Sequence, residues 1–183
     1  MHEVLIAGFG GQGVLATGVM LANAGLKADL HSTWLPSYGG EMRGGTANCS
    51  VIVSEEQVAS PYIDNPDVLV VFNGPSLDKF EAQVKPGGYI FINSSLVKRE
   101  DVRDDVTVIR VPATELATEL GNVRVANVVM LGALLSKFPT ISEEAALTSL
   151  EEYFEPKGEK VINLNRQALK KGIEVGSAQG ESK

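Results

Sequence analysis

Two glycine-rich segments carry the residues whose types and spacing suit binding chemistry. The first reads Gly-Phe-Gly-Gly-Gln-Gly at residues 8–13 and matches the pattern G-x-G-x-x-G between a predicted strand and a predicted helix. Glycines at this point let the backbone approach an anion, and the helix start offers free N–H groups with partial positive charge. A phosphate or another anion is therefore the expected ligand. The candidate residues are Gly8, Gly10, Gly11, Gln12 and Gly13.

A dinucleotide ligand makes a further demand that this sequence does not meet. An acidic residue is expected at the end of the second strand, roughly 20 residues further on, where it binds the ribose hydroxyls. That stretch reads His31-Ser32-Thr33, and Asp29 lies before the strand or at its start. NAD and NADP are therefore disfavoured, whereas a bare anion site and a tight turn without a ligand both stay open.

The second segment, residues 37–46, places one glutamate and one arginine among four glycines. Glycine has the most backbone freedom to lose, so such a loop usually serves to bring backbone close to a ligand or partner. The arginine fork suits a carboxylate or phosphate, and the glutamate can orient it. The alternative is a surface ion pair on a hairpin, which contributes little energy. The candidate residues are Tyr38, Glu41, Arg43, Gly44 and Gly45.

Strands and helices alternate along the chain and must position these two loops. Apolar runs and helical spacing predict strands at 2–7, 30–35, 46–53, 68–72, 89–92 and 106–111, and helices at 14–24, about 75–84, 112–120, 127–137, 142–154 and 161–175. The continuous apolar run at 68–72 is typical of a strand in a parallel sheet, covered on both faces. The order predicts an α/β fold, a single Rossmann-like three-layer sandwich with a mainly parallel sheet.

Several boundaries follow from individual residues. Gly25 is expected to end the first helix as its C-cap, and Asn127 to cap the start of the fourth. Residues 1–175 are expected to form one domain. Residues 176–183 lack apolar anchors and are expected to form a flexible C-terminal tail.

Composition excludes several function classes. The 183 residues carry a net charge of −7, which argues against nucleic acid or an anionic membrane as partner. The single cysteine, Cys49, cannot form an internal disulfide and leaves no thiolate set for an iron–sulfur cluster or zinc site. No apolar run approaches the roughly 18–20 residues that span a bilayer, and no signal-like segment opens the chain. We therefore expect a cytoplasmic protein.

The two glycine-rich segments together resemble those of a known family. Gly-x-Gly-Gly-Gln-Gly after the first strand, followed by Tyr-Gly-x-Glu-Met-Arg-Gly-Gly-Thr-Ala-Asn-Cys at 38–49, is similar to the gamma subunit of 2-oxoacid:ferredoxin (acceptor) oxidoreductases. The motif at 38–49 resembles that of the 2-oxoglutarate members most, although pyruvate, branched-chain and indolepyruvate enzymes carry similar subunits. The resemblance covers roughly residues 1–175. One departure is Gly40, where many relatives carry proline.

The resemblance implies a part in the thiamine-diphosphate-dependent oxidative decarboxylation of a 2-oxoacid to acyl-CoA, with electrons passed to ferredoxin. Alpha, beta and ferredoxin-like delta subunits would supply the thiamine diphosphate, magnesium and iron–sulfur clusters. This chain would not be catalytic alone and would bind none of these groups. It would act in assembly, with contact to coenzyme A left open. A stand-alone Rossmann-like dehydrogenase, a purely structural scaffold and a homodimer of the isolated chain also stay open.

Overall fold

The computed structural model describes residues 1–38 and 46–179, without the side chain of Tyr38. Within these residues, six strands and six α-helices follow one another along the chain. They are β1 His2–Phe9, α1 Val14–Lys27, β2 His31–Tyr38, β3 Thr46–Ser54, β4 Val68–Val71, α2 Gly74–Phe80, β5 Tyr89–Asn93, β6 Thr107–Val111, α3 Ala113–Glu119, α4 Ala126–Leu135, α5 Glu143–Phe154 and α6 Glu159–Ser177. Short 3-10 turns span Glu81–Gln83, Val123–Val125 and Glu155–Lys157.

The strands form one sheet in the order β2-β3-β1-β4-β5-β6. Strands β1, β4, β5 and β6 pair in parallel, whereas β3 is antiparallel to both β1 and β2. Too few residues separate β2 from β3 for the crossover connection that parallel neighbours need. The two strands therefore pair antiparallel, as a hairpin. The predicted α/β fold with a mainly parallel sheet is confirmed, with β3 as the strand that runs against the others.

The helices cover the two faces of the sheet unequally. The larger core lies under α1 and α4, with α5 and α6 packed outside them. Every residue of α4 after Ala126 is buried, which fits a helix enclosed on all sides. The smaller core lies on the opposite face under α2, where Leu77 and Phe80 pack with Leu69 and Val71 of β4. Both faces of β4 are therefore covered, as its continuous apolar run predicted.

Glycines let α4 and α6 meet backbone to backbone. A Cβ added to Gly172 would lie 2.0 Å from the carbonyl oxygen of Val129, and one on Gly132 would lie 2.1 Å from that of Leu169. Side-chain atoms do not approach a carbonyl oxygen so closely, so only glycine fits at these two positions. The enclosure of α4 depends on this contact.

Two helix caps predicted from single residues are wrong. Helix α1 continues past Gly25 to Lys27, because Gly25 faces the sheet, where a Cβ would lie 2.3 Å from Ser32 Oγ. The chain turns instead at Asp29, which has a φ of 57°. Asn127 does not cap α4, since the helix starts one residue earlier and a 3-10 turn leads into it. The capping signal there belongs to Asn122, whose Oδ1 accepts a hydrogen bond from the N–H of Arg124.

The end of the described chain is anchored by polar contacts. Helix α6 continues to Ser177, past the proposed domain boundary at residue 175. The Gln179 amide then accepts a hydrogen bond from Arg110 N at 2.9 Å and donates one to Arg110 O at 2.7 Å. The described chain thus has a polar anchor beyond residue 175, which the absence of apolar residues did not indicate, and the flexible tail stays a prediction. Residues 180–183 lie outside the described part, and the division at residue 175 stays a prediction.

Cys49 provides an internal probe of folding. The side chain is fully buried in β3, and burial raises the pKa of its thiol to about 12. Because the thiolate is the reactive form, the folded chain should hold this thiol both protonated and inaccessible at pH 8. We expect its labelling by a thiol reagent to be at least roughly a hundredfold slower than in urea-unfolded chain. Rapid labelling in native buffer would contradict this burial.

Candidate functional site

Gln12 ties the first glycine loop to the neighbouring strand. Its Oε1 accepts hydrogen bonds from Phe9 N at 2.7 Å and from Asn73 Nδ2 at 3.1 Å, and its Nε2 donates to Phe72 O at 3.4 Å. Ligands of open α/β sheets usually enter between strand ends of this kind. Here the Gln12 side chain bridges the ends of β1 and β4, so a ligand of the loop must lie outside that crevice.

Gly13 forms the start of α1 in a conformation that favours glycine. Its φ is 80°, and a Cβ there would lie 2.7 Å from Asn127 Nδ2. No side chain caps this helix start, and its first turn contains no acidic residue. The first N–H groups of α1 therefore keep the positive end of the helix dipole open to a ligand. Gly10 and Gly11 lie exposed in the preceding turn, while Gly8 is buried in β1.

A cleft of about 330 Å³ opens beside this helix start. Its other walls come from the turn before α4, the end of α5 and the first half of α6. Two cationic side chains line it, Arg124 and Lys157, and neither pairs with a carboxylate in the described part of the chain. The Lys157 ammonium lies 5.4 Å from the ring centre of Phe154. The cleft thus combines a helix start with two cations, an arrangement suited to an anionic group.

Two asparagines and a tyrosine add neutral polar groups to the same cleft. Asn127 is 6% exposed and Asn165 is 3% exposed, yet both line the cleft. Asn165 Nδ2 donates to Val161 O at 2.8 Å, which fixes the direction of that amide. Both asparagines line the cleft, where a ligand can hydrogen-bond to them. Together with Tyr153, they suit a ligand that carries amide or ring atoms beside its anionic part.

The second glycine-rich segment is only partly placed. Glu41, Arg43, Gly44 and Gly45 lie outside the described residues. Of this candidate set, the backbone of Tyr38 is described; it ends β2 and pairs with Ala47. Thr46, at the start of β3, pairs with Phe9, the residue that precedes the exposed turn of the first loop. Both ends of the second segment therefore lie at the same end of the strands as the first segment.

The demands of a dinucleotide site are not met by this arrangement. Asp29 lies in the turn before β2, at the end of the strands opposite to the glycine loop. It cannot reach a ribose held at the carboxyl ends of the strands. In residues 1–38 and 46–179, no group of three or more histidine, cysteine or acidic side chains is arranged to hold a metal ion. None of the helices described there is long and apolar enough to cross a bilayer.

Sequence reasoning missed the residues that complete the cleft. Arg124 and Lys157 belong to connections more than a hundred residues away from the glycine loop. Their one local signal is a basic residue near a glycine in a connection, a pattern too common to single them out. Asn127 was noticed, but as a helix cap rather than as part of a cleft. Long-range packing brings them together, because α4 and α5 pack onto α1 and α6 packs onto α4 and α5.

Comparison with known proteins places these features in a family. Residues 3–175 match the family described as pyruvate ferredoxin/flavodoxin oxidoreductase. The chain is 43% identical to the ketoisovalerate oxidoreductase subunit VorA of Methanothermobacter marburgensis, over 94% of this chain and 36% of VorA. It is 35% identical to the 2-oxoglutarate synthase subunit KorC of Methanocaldococcus jannaschii, over 94% of this chain and 92% of KorC. The chain thus spans about a third of the length of the VorA relatives and nearly all of KorC.

Solved structures give the same result. The gamma subunit of a keto/oxoacid ferredoxin oxidoreductase from Geobacter sulfurreducens superposes with a TM-score of 0.82 at 28% identity, covering 97% of this chain and 99% of that one. The 2-oxoglutarate:ferredoxin oxidoreductase of Magnetococcus marinus, solved with 2-oxoglutarate, coenzyme A and succinyl-CoA, superposes with a TM-score of 0.90 at 28% identity, covering 99% of this chain and 32% of that one. The chain therefore belongs to the pyruvate ferredoxin/flavodoxin oxidoreductase family, as its two glycine-rich segments indicated.

Proposed function

We propose that this chain is the gamma subunit of a multi-subunit 2-oxoacid:ferredoxin oxidoreductase. The observation that carries the proposal is its likeness, over nearly the whole of both chains, to KorC and to the Geobacter gamma subunit. Alpha, beta and ferredoxin-like delta subunits would hold thiamine diphosphate, magnesium and the iron–sulfur clusters, and ferredoxin would accept the electrons. The gamma domain would span residues 1–175, and we place the complex in the cytoplasm.

Within that complex, we propose that the cleft beside α1 binds the phosphate-bearing part of coenzyme A. Coenzyme A carries phosphates, amides and an adenine ring, and the cleft offers a helix start with two cations, two buried amides and an aromatic side chain. The relative from Magnetococcus marinus was solved with coenzyme A bound. Gly8, Gly10, Gly11, Gln12 and Gly13 would shape the entrance. The second glycine-rich segment would meet the ligand or the catalytic subunits at the same end of the strands, through Tyr38, Glu41, Arg43, Gly44 and Gly45.

The acid substrate would be recognised where decarboxylation occurs, on the other subunits. Among relatives of matching length, those at 33–35% identity are named for 2-oxoglutarate and those at 26–29% for pyruvate or pyruvate/ketoisovalerate, whereas the VorA relatives, with higher identity, are named for ketoisovalerate. The 2-oxoglutarate assignment therefore stays a prediction. Comparing the kcat/KM of the purified complex for 2-oxoglutarate, ketoisovalerate and pyruvate decides among them.

The subunit role is tested by purification from the native source. We expect this chain to co-purify with larger subunits that contain thiamine diphosphate and iron. A solitary chain that binds NAD at micromolar concentration would contradict the proposal and favour a stand-alone dehydrogenase. A complex that forms but gains no CoA-dependent activity from this chain would favour a structural scaffold.

Removing a cleft cation should weaken coenzyme A binding. We expect Arg124→Ala or Lys157→Ala to raise the KM for coenzyme A about tenfold with little change in the KM for the 2-oxoacid, because each removes a charge-assisted contact to phosphate. Lys171→Ala is the matched control, since Lys171 pairs with Glu174 on the surface of α6, outside the cleft. An unchanged KM for coenzyme A in both cleft variants would contradict the proposed cleft.

Arg43→Ala separates the two roles given to the second segment. If this arginine acts in assembly alone, its loss should loosen the complex on size exclusion while leaving the KM for coenzyme A unchanged. If it also binds phosphate, the KM rises in the intact complex. A variant that changes neither property would remove Arg43 from the site.

A further inference from the structure

A second cavity, the α6 groove, continues the cleft beside α1 along one side of α6. Its volume is about 690 Å³, and its walls come from the turn after α3 and from the first half of α6. Asn122 and Leu164 line both cavities, so the groove and the cleft adjoin at these two residues. A ligand that fills the cleft can therefore continue into the groove.

The ligand proposed for the cleft needs more space than the cleft offers. A volume of about 330 Å³ is at the small end of the range of about 300–1,000 Å³ that holds a drug-sized ligand. Coenzyme A is larger, because a pantetheine arm and a 3′-phosphorylated adenosine extend from the two ends of its diphosphate. With the diphosphate at the start of α1, at least one of these two parts must leave the cleft.

The walls of the α6 groove suit a purine base. Leu120 and Leu164 are half-buried and give the groove an apolar surface on which a base can lie. Gln167 adds a carboxamide, a group that binds the edge of adenine by paired hydrogen bonds. Asn163 adds a second, whose Oδ1 accepts from Arg166 Nη1 at 2.6 Å, which leaves its Nδ2 as a donor.

Lys160 distinguishes between the two parts of coenzyme A. Its side chain is exposed in the α6 groove and pairs with no carboxylate that the structure describes, and the adjacent Glu159 is held by Arg166 at 3.0 Å. Lys160 also lies in the first turn of α6, where the helix dipole adds to its positive charge rather than offsetting it. The 3′-phosphate carries about two negative charges, whereas the pantetheine arm carries none. This position therefore favours the adenosine.

We propose that the 3′-phosphoadenosine part of coenzyme A lies in the α6 groove and that Lys160 selects for its 3′-phosphate. The inference rests on the proposed function, in which the cleft beside α1 binds the phosphate-bearing part of the same ligand. The pantetheine arm then leaves the cleft on the side of Gly11 and Gly13. Its thiol is thus directed to the end of the strands at which the catalytic subunits are proposed to meet this chain.

The purified oxidoreductase complex tests Lys160 with two substrates, coenzyme A and 3′-dephospho-coenzyme A. We expect the parent complex to prefer coenzyme A in kcat/KM, and Lys160→Ala to reduce that preference about tenfold, because a charge-assisted contact to the 3′-phosphate is lost. Lys160→Arg should keep most of the preference, since it keeps the charge. Lys170→Ala is the matched control, because Lys170 is also an exposed lysine of α6 but lies about 15 Å further along the helix.

Adenosine 3′,5′-bisphosphate tests the groove without the pantetheine arm. We expect it to inhibit the parent complex in competition with coenzyme A. Lys160→Ala should raise its inhibition constant about tenfold, whereas Lys170→Ala should leave that constant unchanged. Inhibition that does not compete with coenzyme A would contradict the placement of the adenosine.

Two results with the substrates would overturn the inference. The first is a parent complex that uses both substrates with equal kcat/KM. The second is an unchanged preference in Lys160→Ala, or a loss that Lys170→Ala shows equally. If Arg124→Ala and Lys157→Ala raise the KM for coenzyme A while Lys160→Ala keeps the preference, the proposed cleft stands and only the placement of the adenosine fails. If neither cleft variant changes that KM, the proposed cleft fails and this inference fails with it.

Discussion

Gly172→Ala is expected to destabilise the chain by more than about 4 kcal/mol, a large part of the 5–15 kcal/mol that holds a typical domain folded. The added Cβ would lie 2.0 Å from Val129 O and 2.9 Å from Ala133 N, both backbone atoms of α4. Backbone atoms cannot rotate away as a side chain can, so the two helices must separate. Separation would open the enclosed faces of α4 along its length. Gly132→Ala should have the same effect from the other side of the contact, where Leu169 O lies 2.1 Å from the added atom.

Urea denaturation followed by circular dichroism measures this loss, and the labelling rate of Cys49 measures it independently. Gly74→Ala is the control, because its added Cβ meets no atom within 4 Å at the start of α2. We expect that control to stay within about 0.5 kcal/mol of the parent chain, as surface substitutions usually do. Equal stability of Gly172→Ala and Gly74→Ala would show that α4 and α6 are further apart than described.

Gly13→Ala should damage both stability and the cleft. Alanine at a φ of 80° costs about 1–2 kcal/mol, and its Cβ would also lie within 2.8 Å of the Asn127 side chain. Asn127 is buried on α4 and cannot leave without moving that helix or the start of α1. We therefore expect a total loss of about 3 kcal/mol and a rise in the KM for coenzyme A beyond that of Arg124→Ala, since the helix start itself is displaced.

Two further variants separate strain from collision. Gly11 also has a positive φ, of 94°, but its added Cβ meets nothing within 4 Å, so Gly11→Ala isolates the cost of conformation. Asn127→Gly removes the colliding atoms, and the double variant Gly13→Ala with Asn127→Gly should recover part of the loss. If the double variant shows strict additivity, the contact between Gly13 and Asn127 is not the cause.

The sequence predicted the elements wherever the pattern was set by neighbouring residues. The run at 68–72 has apolar side chains on both faces, so β4 was expected to lie inside the sheet, and it does. Ser142 followed by two glutamates signalled the start of α5, and its hydroxyl accepts a hydrogen bond from Ala145 N at 3.1 Å. Such signals act within a few residues, and a single sequence displays them directly.

Features that depend on distant contacts were not predictable. Gly25 looked like a helix end because its role depends on Ser32 of the next strand, not on its immediate neighbours. Gln179 looked unanchored because its partner is the backbone of Arg110. The cleft likewise joins a helix start near residue 13 to a cation at residue 157. The glycine loop was found from its local pattern, but the groups around it are set by how the helices pack.

The enclosure of α4 between the sheet and α6 has a consequence for synthesis. A nascent chain that has emerged only as far as α5 possesses every strand, yet one side of α4 still faces solvent because α6 is missing. The side of α4 that α6 later covers would expose apolar residues, which bind chaperones or aggregate, until residues 159–177 leave the ribosome tunnel. The chain should therefore acquire its protease resistance late in translation and abruptly, rather than gradually as successive strands emerge.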